Sequence, residues 1–351
     1  MKYIKFILLS VIIASLFSSC DDEFSLNAPY KDITIVYGLL NVKDSVHYVK
    51  VYKGFQTEGN SYTAAGDWTN LYYFDKIKVT IEEFNNNVAT GRIIELDTTT
   101  QIPREPGSFA NPKQLLYYTN ATLNPAYSYQ IKVLNKETGR IVTGMTPLVP
   151  AFAITAPNIP TNNGLNLTGK KGNIIFPNNE LTKGYEIYEN FYYFEVSKVT
   201  GEITKYGSVK RDITNNNMLT STSSNFGEIN KEYNPSSIYD VIALQVKADP
   251  TVDRYRMATN AVSIEVWGAS LHLYNYLIIN QPSSSIVQEH LEYTNLVCPS
   301  DSSYKTAYGV FASRYKALKS YNISAASEDS LVLGSKTSHL GFKFYRDYDP
   351  R

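Results

Sequence analysis

The chain has 351 residues, enough for one large or two ordinary domains, and 33 basic residues balance 33 acidic ones. A net charge of zero gives no electrostatic case for nucleic acid or for anionic membrane surfaces. With two cysteines in the whole chain, neither a disulfide framework nor a cysteine-based metal site is expected.

The first elements are topogenic. Lys2 and Lys5 precede a run from Phe6 to Phe17 that is apolar except for Ser10 and Ser15. That run suits a secretory core and falls short of the roughly 20 residues that span a bilayer. Ser18 and Ser19 are small, Cys20 follows, and Asp21, Asp22 and Glu23 end any membrane-buried segment. Phe17-Ser18-Ser19-Cys20 resembles a bacterial lipobox, with Phe17 where leucine is usual. The resemblance implies a signal peptide over 1–19, acylation of Cys20, and a lipid anchor strong enough for stable attachment without a spanning helix. Asp21, Asp22 and Glu23 resemble the surface-export signal of Bacteroidetes lipoproteins. Residues 20–31 then read as a lipidated tether.

From residue 32 the chain reads as mainly β. The run 33–40 and the alternating run 47–55 form a hairpin. In 74–84, Ile77, Val79 and Ile81 alternate with Lys76, Lys78, Thr80 and Glu82, the period of a half-buried strand. Asn85-Asn86-Asn87 turns the chain into a returning strand at 91–96. Residues 98–113 carry Pro103, Pro106, Gly107 and Pro112 and read as an irregular loop before a strand at 114–119. Leu123, Pro125, Tyr129 and Val133 then reproduce the spacing of fibronectin type III-like domains, in which the tyrosine forms a structural corner by bonding back to upstream backbone. With a last strand at 141–148, residues 32–148 are expected to form an immunoglobulin- or fibronectin-like β-sandwich.

Residues 149–160 hold three prolines and read as a linker. A second β-rich domain is expected over 161–351: a strand at 173–177, a hairpin at 190–209 around Thr200-Gly201, a polar loop at 214–237, strands at 239–249, 261–270 and 306–315, and one or two short helices. Leu271, Tyr274, Leu277 and Ile278 predict a helix over 271–282 capped by Ser270, and Ser327 and Gly334 bracket a second over 327–335.

No catalytic constellation emerges. The four histidines lie in no metal-ligand spacing, and no nucleophile elbow or dinucleotide fingerprint is present. Residues 164–171 match the glycine and lysine positions of a phosphate loop, but Lys171 stands where the magnesium-binding hydroxyl belongs and a strand follows instead of a helix. Glu82, Glu83, Glu228 and Asp253 read as solvated acids, and Cys298 as a small buried apolar residue. The expectation is a non-enzyme with no cofactor and no metal.

The early run "IVYGLLNVKDSVHYVKVYKGF" (35–55) and the late run "YTNLVCPSDSSYKTAYGVFASRY" (293–315) resemble a family of Bacteroidetes outer-membrane lipoproteins known as a domain of unknown function. In the late run an insertion carrying Cys298 replaces a glycine-rich link, leaving Gly309 before Phe311. The family has no established catalytic residues. Its members are often encoded beside TonB-dependent transporters, which implies an accessory role at the outer membrane. On this reading the loops at 57–72, 98–113 and 214–237 are contact candidates. Tyr62, Trp68, Tyr72 and Tyr73 are candidate ligand contacts whose rings could stack on a glycan. The alternative is an adhesin or surface-assembly subunit that pairs through an exposed edge strand.

Overall fold

The computed structural model describes residues 29–160, 163–221, 227–280, 292–301 and 305–349. The expected signal peptide (1–19), Cys20 and the acidic Asp21, Asp22 and Glu23 lie outside the described residues. The first half of the chain folds into β1 (Thr34–Leu40), β2 (His47–Lys53), a one-turn helix α1 (Ser61–Ala65), β3 (Ile77–Asn85), β4 (Val88–Glu95), β5 (Asp97–Thr99), β6 (Leu116–Thr119), β7 (Ser128–Asn135) and β8 (Ile141–Pro147). The second half supplies β9 (Gly172–Pro177), β10 (Gly184–Ser197), β11 (Ile203–Asp212), β12 (Leu219–Thr220), β13 (Glu228–Tyr233), α2 (Ile238–Gln245), β14 (Val252–Arg256) and β15 (Val262–Ala269). It ends with α3 (Leu271–Ile279), β16 (Leu296–Val297), β17 (Ala307–Tyr321) and α4 (Ala325–Leu333). The protein is mainly β.

The first half is a β-sandwich. β1, β2 and β6 pair in that order in one layer; β8, β7, β3 and β4 pair in that order in the other. This is the strand order of an immunoglobulin-like sandwich, with β7 in the position that carries the corner tyrosine. Tyr129 is fully buried there. Its hydroxyl accepts from the Asn124 N–H at 2.6 Å and donates to the Glu83 carboxylate at 3.0 Å. The β3–β4 turn uses Asn86 and Asn87 at positive φ, the twist that a tight hairpin demands.

The expected domain boundaries do not follow the sheets. β17 runs parallel to β1 and antiparallel to β15, so one sheet continues from β11 through β10, β15, β17, β1, β2 and β6 to β5, and β12 and β14, which also pair with β10, bring it to ten strands. β16 adds to the edge of the other layer by pairing with β8. Residues 149–160 are packed structure instead of a free linker. Val149 and Ile154 are buried, and the Phe152 ring meets Phe176, Tyr185 and Tyr315 at 5.1–5.8 Å between centroids. Leu148 and Val149, adjacent and both fully buried, belong to different cores. The first core lies between the two sandwich layers, with Ala307 and Phe311 of β17 in it. The second lies under β10, β15 and the C-terminal half of β17, closed by β9, β13, α2 and α4.

Several elements differ from expectation. Residues 239–249 hold helix α2 instead of a strand, because Ile238, Tyr239 and Ile242 are buried at helical spacing and Pro235 starts a preceding turn capped by Asn234. The 214–237 segment is not all loop, since it contains β12 and β13. α3 forms as expected, but the Ser270 side chain makes no cap and accepts instead from the Ser313 N–H at 3.2 Å. α4 is capped by Ser324, one turn before the expected Ser327, and ends at Gly334. Glu83 is no solvated acid: it is buried, bonded to Tyr129 and paired with Arg92 at 3.0 Å.

Candidate functional site

The loops at 57–72 and 98–113 fold against each other beside the β1–β2–β6 layer. Asn60 caps α1, Asp67 caps the turn Trp68–Asn70, and the Ala110 N–H donates to the Ala65 carbonyl at 2.9 Å. Leu71, Tyr72, Ala110 and Leu115 form a small core under this pair of loops.

That packing sorts the four candidate aromatic contacts. Tyr62 is 75% exposed on α1. Trp68 is half-buried, its ring covered by the Lys113 ammonium at 3.6 Å, and it lines a shallow surface depression with Thr63, Asp67 and Asn111. Tyr72 and Tyr73 are buried and are corrected to structural roles. Tyr72 packs on Tyr52, Trp68 and Phe74 at 5.3–6.2 Å. The Tyr73 hydroxyl bonds to the Asp32 carboxylate and lies 2.9 Å from the Thr34 hydroxyl, and burial and that carboxylate both raise its pKa. Asp32 is also held by Arg140 at 3.1 Å and by Asn135 at 3.1 Å, so this cluster locks the entry to β1.

A different surface has the geometry of a binding site. The outward faces of β1, β2 and β6 carry Tyr37, Tyr48, Tyr52 and Tyr118, and among the described residues no second sheet covers them. Tyr37 and Tyr48 are 37% and 39% exposed. Two clefts share Ile35 and Tyr37. One, of about 420 Å³, lies between β1, Tyr308 of β17, Tyr276 of α3 and Tyr293. The other, of about 460 Å³, lies between β1, β2 and the 98–113 loop, walled by Tyr52, Phe55, Leu71 and Phe109. Tyr37 stands between them with its ring edge-on to Tyr276 at 6.2 Å. Burial and neighbouring tyrosines push the Tyr37 and Tyr52 phenols up to about 12, so both are neutral at physiological pH.

In the second cleft the charge comes from cations. The Arg104 guanidinium lies 5.5 Å from the Tyr52 ring centroid and 4.9 Å from that of Phe109, and Lys53 also lines the walls. No carboxylate lines this cleft among the described residues. These residues were not singled out from the sequence. The available signal was the alternation in 47–55, where Tyr48, Lys50 and Tyr52 fall on one face of β2; what makes that face a site is the loop that folds beside it.

Among the described residues no group of three or more His, Cys, Asp or Glu could hold a metal ion. His47 and His272 are depressed below the usual histidine range by burial. Cys298 is buried as expected, but it sits among polar groups, 3.1 Å from the Ser300 hydroxyl and 3.4 Å from Arg140. No helix among the described residues is long and apolar enough to cross a membrane.

No family model matches the chain, and no curated protein does. Among solved structures, it is similar to the C-terminal globular domain of an oligosaccharyltransferase from Pyrococcus abyssi, at 11% identity and a TM-score of 0.22. The match covers 62% of this chain and 43% of that one.

Proposed function

We propose that this protein is a non-catalytic surface lipoprotein of the outer membrane, anchored through Cys20. In this reading it serves as an accessory binding module for a ligand or for an outer-membrane barrel such as a TonB-dependent transporter. The observation that carries the binding reading is the outward face of β1, β2 and β6. An isolated exposed tyrosine is ordinary, but a row of them flanked by two clefts is a surface suited to contact. The anchor rests on the 15–24 stretch of the sequence, where an apolar run closes on cysteine and acid.

The test is to express the full-length chain and Cys20→Ala in a Bacteroidetes host, shave intact cells with protease, and identify what co-purifies from detergent. Acylated, protease-accessible wild type that brings down a barrel supports the proposal. A wild-type chain released as a soluble protein removes the anchor, and one protected from protease removes the surface assignment.

A surface-assembly role has one favouring feature: β11 is a ten-residue edge strand with Ile203 and Tyr206 exposed. Lys205 and Lys210 lie along the same edge, and lysines there oppose pairing with another chain. Concentration-dependent polymerisation of the purified protein would favour this second reading.

A further inference from the structure

The cleft between β1, β2 and the 98–113 loop combines an apolar, aromatic lining with charge of one sign. Its walls are apolar and aromatic: Ile35, Tyr37, Tyr52, Phe55, Leu71 and Phe109. Its volume, about 460 Å³, falls within the range of small-molecule sites. Its charge has one sign. Arg104 lies over the rings of both Tyr52 and Phe109, with Lys53 nearby, and neither makes an ion pair with a described residue.

A guanidinium in contact with two aromatic rings has its freedom reduced and part of its hydration removed. It retains N–H donors that the rings do not satisfy, and a carboxylate matches them in shape and charge. The wall tyrosines are neutral phenols and no carboxylate among the described residues lines the walls, so no described wall residue offsets that charge.

We propose that this cleft binds a small molecule with an apolar body and a single carboxylate, the body against Tyr37, Tyr52 and Phe109 and the carboxylate on Arg104. The proposal deepens the binding-module reading and rests on it. It differs from the glycan expected at Tyr62 and Trp68 both in place and in chemistry, because a neutral sugar carries no charge to complement Arg104 and Lys53.

The test uses purified full-length protein in detergent, with protein-free detergent as the blank, titrated calorimetrically with 3-phenylpropionate, 3-phenylpropanol and 3-phenylpropylammonium. The acid is expected to bind saturably, about tenfold or more tighter than the alcohol, with the amine weakest. Arg104→Gln should bring acid and alcohol to the same affinity. Phe109→Ala, at a position 45% exposed, should weaken both without shifting the unfolding midpoint. Equal affinity of acid and alcohol in wild type overturns the proposal, as does an acid preference that survives Arg104→Gln, or no saturable binding of any probe. A failure here counts against the cleft alone. Failure of the surface reading is scored separately, by the fate of Cys20→Ala in cells.

Discussion

Gly309 of β17 lies directly beside Val36 of β1, and the two strands are in parallel register from Thr34–Ala307 to Leu40–Ser313. Gly309 has φ +96°, and a Cβ there would stand 2.1 Å from the Val36 carbonyl oxygen. Two residues on, Gly38 faces Phe311, and a Cβ on Gly38 would come within 2.6 Å of that ring. β1 and β17, far apart in sequence, are therefore neighbouring strands packed too closely for side chains at these two positions.

Gly309→Ala is expected to destabilise the fold severely. The backbone conformation alone costs about 1–3 kcal/mol for a residue with a Cβ, and the clash with Val36 adds to it. Denaturant unfolding measures the loss; an unchanged midpoint would mean that the β1–β17 contact is not as close as described.

Tyr129→Phe should cost about 1–3 kcal/mol, because it leaves the Asn124 N–H without its acceptor and the buried Glu83 carboxylate without one of its donors. The ring volume is retained, so the loss isolates the hydroxyl. A cost well below this range would show that Arg92 and Thr90 suffice for Glu83.

Ile242 and Leu244 would share a face in a strand, but in α2 Ile242 is fully buried and Leu244 is 83% exposed. Ile242→Ala is expected to cost about 2–5 kcal/mol and Leu244→Lys close to nothing. Comparable losses at both positions would favour the strand.

Glu189 introduces a pH dependence of unusual sign. It is wholly buried in the second core, 3.0 Å from Arg211, with its other oxygen lacking a hydrogen-bond partner among the described residues. Desolvation pushes its carboxyl up to about 7 against the pull of Arg211. The folded state thus holds the proton more tightly than the unfolded chain, whose carboxyl titrates near 4.5. This contribution to stability is complete below about pH 4.5 and is lost as pH rises to about 7. Glu189→Gln should gain on wild type across that interval when their thermal midpoints are compared. A difference that stays flat with pH would show that Arg211 keeps Glu189 ionised throughout.

Tyr73→Phe and Tyr62→Ala separate structural from surface aromatics. The first removes the bond to Asp32 and should lower stability by about 1–2 kcal/mol. The second changes a residue that is 75% exposed and should leave stability within about 0.5 kcal/mol. Paired unfolding curves decide it, and a destabilising Tyr62→Ala would place that ring in a contact.

What the sequence determined was local. The alternation at 77–81 placed β3, the asparagine run placed its turn, and the 123–133 spacing placed the tyrosine corner, because each depends on residues close together in the chain. The short apolar run of α2 fits both the strand and the helix period, and burial in the second core beside β11 decides between them. Tertiary structure alone decided where β17 lies, since pairing between residues some 270 apart leaves no periodic trace in either strand. It also decided which tyrosines face outward. The folding of 57–72 onto 98–113 buries Tyr72, and the sandwich core with Asp32 and Thr34 at the entry to β1 buries Tyr73, while the same loops turn one face of an ordinary β-hairpin into a cleft with a cation in its wall.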